Sequence, residues 1–258
     1  MLSVTLVEGW NFAQVREAMG KAERLKPDTK LMSSAELMEI LGKPGVKPEG
    51  RFFPDTYTYA RGSSDLAVWK MALQAMDKNF EAAWAQRLPD SPLKNPDEAL
   101  ILASIIEKET GSKQDRALVG SVFNNRLKIN MPLQTDPTVL YGASMDSKSE
   151  YAGAYDGPWL LAKAQKNAWN TYQITGLPRT PIAMPGKASL LAAVQPAPIK
   201  ALYFVARGNG SSQFSNSLDE HNRAVNKSVS YTHLRAHETV PDIDCRLILE
   251  KKNKNDHK

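Results

Sequence analysis

The sequence predicts an α+β fold, a helical region packed on a small β-sheet. Residues Ser64 to Leu127 hold consecutive segments of helical periodicity, while short β-type runs stand at Ser3 to Val7 and Leu202 to Val205. No internal repeat is visible. At 258 residues, 42% hydrophobic and 24% charged, the chain can bury a substantial core in one large domain or two small ones.

Ser3 to Val7 alternates like a short strand and runs into Glu8-Gly9-Trp10. Phe12, Val15 and Met19 recur at helical spacing, and Ser33 or Ser34 can cap a second short helix through Leu41. Gly42 to Gly50 is punctuated by Gly and Pro and reads as loop. The next stretch, EGRFFPDTY from Glu49 to Tyr57, is dense in aromatics around a Pro-Asp turn, a pattern that favours core packing. Ser64 to Ala85 is a long amphipathic helix, with Trp69, Leu73, Met76, Phe80 and Trp84 three and four residues apart.

The chain is organised around Asn95 to Gly111, NPDEALILASIIEKETG. Asn95 is a good N-cap, Pro96 suits the first helical position, and Glu98 sits where a capping-box carboxylate belongs. From Ala99 to Ile106 every residue except Ser104 is apolar, which describes a buried helix, and Gly111 is a natural stop. At about 100° per residue, Glu109 falls on the line of Leu102, Ile105 and Ile106, whereas Glu107 points roughly 160° away. A carboxyl that continues a core stripe near a helix C-terminus is disfavoured as an anion, so its pKa should rise, as a general acid requires. Taken alone, this stretch favours the plainer reading, two carboxylates on the solvated last turn of a helix.

A further helix is expected from about Gln114 to Leu127, with Leu118, Val119, Val122 and Phe123 on its buried face. Met131 to Gly142 reads as extended or irregular, its prolines flanking Gln134-Thr135-Asp136 as a turn or a ligand-facing loop. Ala143 to Lys166 reads as a polar surface excursion with a short helix around Leu160. Asn170-Thr171-Tyr172 leads into a Pro-pinned loop, Gly176 to Gly186, fit to form a rigid wall. Ser189 to Val194 is helical, Leu202 to Val205 is a buried strand, and Gly208-Asn209-Gly210 signals a hairpin towards Gln213-Phe214. Ser217 with Glu220 opens a last helix through Asn226.

The tail from Val229 does not continue this design. It carries three of the four histidines and the sole cysteine, Cys245. Its string VSYTHLRAHET resembles the conceptual translation of a transposase-type sequencing adapter, so residues 228–258 are expected to be a non-native tail. Without the tail the body holds 27 basic and 23 acidic residues, too mild a surplus to imply nucleic acid. No apolar run is long enough to span a membrane. One histidine (His221) and no cysteine in the body disfavour Cys/His and Ser-His-Asp chemistry, and zinc spacings, Walker loops and Gly-x-Gly-x-x-Gly are absent. Neither metal nor cofactor is expected. Carboxylate chemistry with aromatic and amide-bearing loops remains, the equipment of carbohydrate-active sites.

In that light the strings EGRFFPDTY, LASIIEKETG, VFNNRL, LQTDPTVLYG, NTYQITGLP, TPIAMPG, LYFVA and HNRAVN can be taken together. They closely resemble, from about Val4 to Lys227, the endolytic murein transglycosylases of the bacterial YceG-like family. The resemblance implies a catalytic domain over residues 1–227, with residues 1–60 as a smaller subdomain. It implies a periplasmic enzyme at the inner membrane that cuts peptidoglycan strands internally and leaves 1,6-anhydromuramyl ends. Nascent glycan strands are the implied substrate and peptidoglycan polymerases the implied partners. Relatives carry a membrane anchor and a LysM-like segment before this point, so Met1 is expected to open a fragment.

The resemblance places the catalytic glutamate at Glu109, the residue helix phase also separates. It implies that Gln134, Thr135, Asp136, Asn170 and Tyr172 hold the glycan, with Thr110 and Glu107 in supporting roles. Trp169, Arg179 and Ser212 depart from the family's common Tyr, Pro and His, which touches subsite detail. Two rival readings stand beside this one: a hydrolytic muramidase using Asp136 as second carboxylate, and a non-catalytic glycan-binding scaffold.

Overall fold

A computed structural model describes residues 1–145, 159–207 and 210–227. Residues Met1–Leu202 form one compact unit and the chain from Tyr203 a second. The hairpin glycine Gly208 with Asn209, most of the excursion at 146–158 and the tail lie outside the described residues.

In the first unit β1 (Leu2–Thr5) pairs antiparallel with β2 (Thr56–Tyr59), Val4 opposite Tyr57. Period-two alternation turns Val4, Tyr57 and Tyr59 inward. The strand expected to run to Val7 ends at Thr5. Helix α1 (Phe12–Lys21) opens with a capping box between Asn11 and Gln14, and α2 (Ser34–Ile40) with one between Ser33 and Glu36. Ser64 caps α3 (Asp65–Trp84), whose Val68, Trp69, Ala72 and Leu73 pack on the sheet and α1. The aromatic cluster after Glu49 is core: Phe52 is fully buried, meets Trp69 edge-on at 4.7 Å and stacks on Phe12 at 5.8 Å.

Helix α4 (Pro96–Glu109) is buried on every side from Ala99 to Ile106. Asn95 Oδ1 accepts the Glu98 amide at 3.0 Å, while the Glu98 carboxylate reaches back to Lys94 N–H rather than to the cap residue's own. Around α4 lie α3, α5 (Arg116–Lys128) and α8 (Lys187–Val194). Burying each Leu or Ile side chain is worth about 1.5–3 kcal/mol, so this bundle is where much of the unit's apolar driving force resides. Gly120 lets α5 approach α8: a Cβ there would collide with the Ala192 carbonyl. Ser104, the lone polar residue in the α4 run, donates to the Ile101 carbonyl at 2.7 Å and accepts from Ile182 N–H at 3.0 Å. That bond fastens the Pro-pinned loop to α4. The helix ends because Thr110 turns extended (φ −142°), without the left-handed glycine expected at Gly111.

The stretch expected to be extended or irregular from Met131 is irregular only as far as Thr135. Asp136–Met145 is helix α6, with Pro137 in its first turn, where a missing N–H removes no intrahelical bond. Helix α7 (Trp159–Ala164) follows. Asn124 Nδ2 donates to the Ala193 carbonyl (3.1 Å), Asn125 Nδ2 to those of Ile199 (2.9 Å) and Ala201 (3.0 Å), and Arg126 Nε to that of Leu202 (2.7 Å). These amides and the guanidinium satisfy carbonyls that no ladder would otherwise pair.

In the second unit β3 (Tyr203–Ala206) and β4 (Ser212–Ser215) form an antiparallel hairpin with Phe204 opposite Phe214. The strand expected to be buried is half-buried, since a two-stranded sheet covers only one of its faces. A helical stretch over 218–227 follows, where Ser217 Oγ accepts the Glu220 N–H at 3.3 Å. The sheet sharing a unit with the helical bundle is therefore β1–β2, and Leu202 to Val205 contributes to the other. No helix among the described residues is long and apolar enough to cross a membrane.

Candidate active site

The two glutamates at the end of α4 occupy different environments, and neither is solvated. The Glu107 side chain is only 5% exposed; it accepts the Gly186 N–H at 2.8 Å through Oε2 and meets Arg116 Nη2 at 3.4 Å through Oε1. Gly186 is the N-cap of α8, so Glu107 supplies an anion where the dipole of that helix favours one. Its work is structural, joining α4, α5 and α8.

Glu109 faces the start of α6 instead. Thr135 Oγ1 donates to its Oε2 at 3.0 Å. Burial pushes the Glu109 pKa up to about 7; the Asp136 charge adds to the rise, while the Thr135 hydrogen bond and the Arg126 charge oppose it. Near neutral pH the group therefore exists as both acid and base, which suits one carboxyl to consecutive proton transfers.

The loop that presents Thr135 is over-determined. Gln134 holds a left-handed backbone (φ 52°), a conformation costing about 1–3 kcal/mol for a non-glycine residue and found often at functional sites. Gln134 N–H donates to the Thr171 carbonyl (3.2 Å) and Thr135 N–H to Thr171 Oγ1 (3.0 Å). Thr138 Oγ1 lies 2.8 Å from Thr171 Oγ1 and donates to the Thr135 carbonyl at 2.7 Å. On the other side Arg126 Nη1 donates to the carbonyls of Pro132 (3.1 Å) and Leu133 (2.8 Å).

Asp136 is exposed beside this loop, and Tyr172 donates its hydroxyl to Asp136 Oδ1 at 2.7 Å. Lys163 Nζ lies 4.0 Å from the Tyr172 ring centroid, a cation–π contact. Burial and the Asp136 carboxylate raise the Tyr172 pKa, so its proton stays in place.

Of the residues expected around the glycan, Thr135, Asp136 and Tyr172 are thus brought together at Glu109, with Gln134 exposed beside them. Asn170 is not. It is fully buried, and its amide nitrogen donates to the carbonyls of Ala162, Lys163 and Gln165 at the end of α7. Its Oδ1 accepts the Tyr172 N–H at 3.0 Å, so its side chain binds backbone of the α7 end and of Tyr172. Thr110 ends α4 and accepts the Ser112 N–H at 3.1 Å. Of the three family departures, Trp169 donates Nε1–H to Thr180 Oγ1 (2.9 Å), Arg179 is exposed next to it, and Ser212 lies in β4 of the second unit.

Reading by sequence missed Arg126, Thr138, Thr171 and Glu49. Arg126 had a signal, for it continues the Val119-Phe123 face by three residues and must be buried with them. Thr138 and Thr171 had none, since their hydroxyls meet only through the fold. Glu49 was absorbed into the aromatic cluster, yet its carboxylate is buried, accepts Phe12 N–H (3.0 and 3.2 Å) and Tyr141 Oη–H (3.1 Å), and has a pKa pushed up to about 7 by burial.

Comparison with known proteins agrees with this architecture. Over 183 residues the chain is 36% identical to the endolytic murein transglycosylase of Bacillus subtilis, covering 70% of this chain and 48% of that protein. The endolytic murein transglycosylase of Streptococcus pneumoniae is 29% identical over 188 residues, covering 70% of this chain and 32% of that protein. The chain thus spans about half the length of the first relative and about a third of the second. The crystal structure of a yceG-like protein from Listeria monocytogenes superposes with a TM-score of 0.65 at 28% identity, over 86% of this chain and 74% of that one. The family model of the YceG-like proteins matches residues 1–227, and the chain belongs to that family.

Proposed function

We propose that residues 1–227 are the catalytic domain of a peptidoglycan lytic transglycosylase, a lyase that cleaves glycan strands internally. The observation that carries this reading is Glu109, one half-buried carboxyl with a pKa of about 7, held by Thr135 beside Asp136 and Tyr172.

The bond broken is the β-1,4 linkage between N-acetylmuramic acid and N-acetylglucosamine. Protonated Glu109 gives its proton to the glycosidic oxygen, the C–O bond breaks, and positive charge develops at the muramyl anomeric carbon. The Asp136 carboxylate, fixed by Tyr172, stabilises that charge. The muramyl C6 hydroxyl then attacks the anomeric carbon, and Glu109, now a carboxylate, takes the hydroxyl proton. The products are a 1,6-anhydromuramyl end and a free N-acetylglucosamine end, and Glu109 is again protonated. No water is consumed, so one carboxyl serves where a hydrolase needs two. The similarity to named murein transglycosylases supports the substrate. The enzyme would act at the periplasmic face of the inner membrane, ending strands that polymerases are extending.

The nearness of Asp136 also supports a second reading, hydrolysis with Asp136 as base. Digesting purified peptidoglycan and analysing the strand ends by mass spectrometry separates them. Anhydro ends are expected; reducing muramic ends would establish a muramidase, and intact strands would refute catalysis.

A further inference from the structure

A cavity of about 300 Å³ lies one and a half turns of α6 from the Thr135–Glu109 contact. The steps from Asp136 to Tyr141 amount to about 7.5 Å along the helix. Phe12, Tyr141 and Trp169 supply its aromatic walls, the last two with ring centroids 5.7 Å apart and planes at 58°. Glu49 stands in the wall with its carboxylate buried, and Thr180 adds a hydroxyl. Two exposed cations, Lys47 and Arg179, stand among the lining residues at the surface.

We propose that this cavity is a second saccharide subsite, which takes an N-acetylmuramyl residue of the strand with its acid-bearing arm at the Lys47–Arg179 rim. The proposal rests on the lytic transglycosylase reading and deepens it. A pyranose ring has apolar C–H faces and polar hydroxyl edges. Tilted aromatic planes match the first, and a carboxylate that already accepts Phe12 N–H, Gly50 N–H and Tyr141 Oη–H, with acceptor capacity for one more donor, matches the second. Of the two sugars in the strand only the muramyl residue carries a lactyl arm, which ends in a carboxylate or continues as an acidic peptide. Cations on an otherwise apolar mouth favour that residue over plain N-acetylglucosamine. The wall residue Glu49 is also linked to the end of α4. Lys108, next to Glu109, donates to the Gly9 carbonyl at 3.2 Å, and its charge stabilises the Glu49 carboxylate.

The test uses the full chain as Glu109→Gln, so that strands are bound without being cut. Affinity is measured by calorimetry for peptide-free peptidoglycan strands and for the N-acetylglucosamine tetramer, with Trp169→Ala and Arg179→Glu added singly. Each added change should weaken strand binding at least tenfold, and Arg179→Glu should leave the tetramer within twofold. In enzyme that keeps Glu109, both should raise KM with kcat within threefold. Strand affinity unchanged in either variant overturns the subsite; Arg179 is exposed, so its variant remains informative even if Trp169→Ala fails to fold. Equal loss of strand and tetramer binding in Arg179→Glu overturns the selection of the muramyl residue. Failure of the underlying reading is seen separately, as unmodified enzyme that yields no cleaved strand ends.

Discussion

Thr135 Oγ1 donates to Glu109 Oε2 across 3.0 Å, and this hydroxyl is itself almost wholly buried. The bond favours the ionised carboxylate and so restrains the rise that burial imposes on the Glu109 pKa. Thr135→Val keeps the shape and removes the donor. A hydrogen bond to a charged group is worth about 1.5–3 kcal/mol, so the base step should slow about tenfold or more. The alkaline limb of the kcat/KM profile should move to higher pH, because Glu109 will hold its proton longer. A limb that stays in place would show that Thr135 only shapes the loop.

The same burial links stability to pH. Glu109 and Glu49 each titrate at about 7 in the fold, against 4.5 for an ordinary glutamate. Between these values the unfolded chain has released both protons while the folded chain still holds them. The unfolded state then binds fewer protons, so stability falls as pH rises from about 4.5 to about 7 and levels off above. A shift of this size corresponds to about 3 kcal/mol per group. Urea unfolding across that range should show the decline for the parent and a shallower one for Glu109→Gln. Parallel profiles would mean that Glu109 does not titrate as described.

How far the sequence reveals this site depends on the kind of contact. Glu109 was legible because helix phase is a local property: the core line through Leu102, Ile105 and Ile106 leads to it, and α4 is buried all round. The caps at Ser33 and Asn95 were legible for the same reason. The Thr135–Thr138–Thr171 cluster was not, because Thr171 sits 33 to 36 residues from the other two and only tertiary folding joins them. The partners of Asn170 were hidden for a related cause. The resemblance placed it among the glycan-binding residues, and only the fold shows that its amide closes the end of α7. Helix α6 hid behind Pro137, which local reading takes as a break and which the first turn of a helix accepts.

The resemblance of the tail to translated adapter sequence gives a separate expectation. Removing every residue after Lys227 should leave the melting temperature unchanged within error and the anhydro-end yield intact. The family match itself stops at residue 227. A loss of several degrees on truncation would make the tail part of the fold.

Glu107 and Glu109 allow the sharpest contrast, because the fold gives one of them an ion-pair partner and the other the raised pKa that the proposed reaction needs. Glu109→Gln preserves size but removes the titrating proton, and both proton transfers go with it. General acid–base catalysis contributes about 10²–10⁴-fold, so turnover should fall at least that far. The melting temperature at pH 8 should hold or rise, since a half-buried charge has gone. Glu107→Gln should do the opposite. The amide can still accept from Gly186 N–H, yet the Arg116 side chain, 9% exposed, loses its counter-charge. Stripping one partner from a buried pair costs about 3 kcal/mol or more, so the melting temperature should drop clearly while turnover per folded molecule stays within tenfold. Thermal unfolding and anhydro-end formation at matched folded concentration measure both quantities on the same samples. A folded Glu107→Gln without activity, beside an active Glu109→Gln, would transfer the catalytic role to Glu107 and leave Glu109 as a half-buried acid without a task.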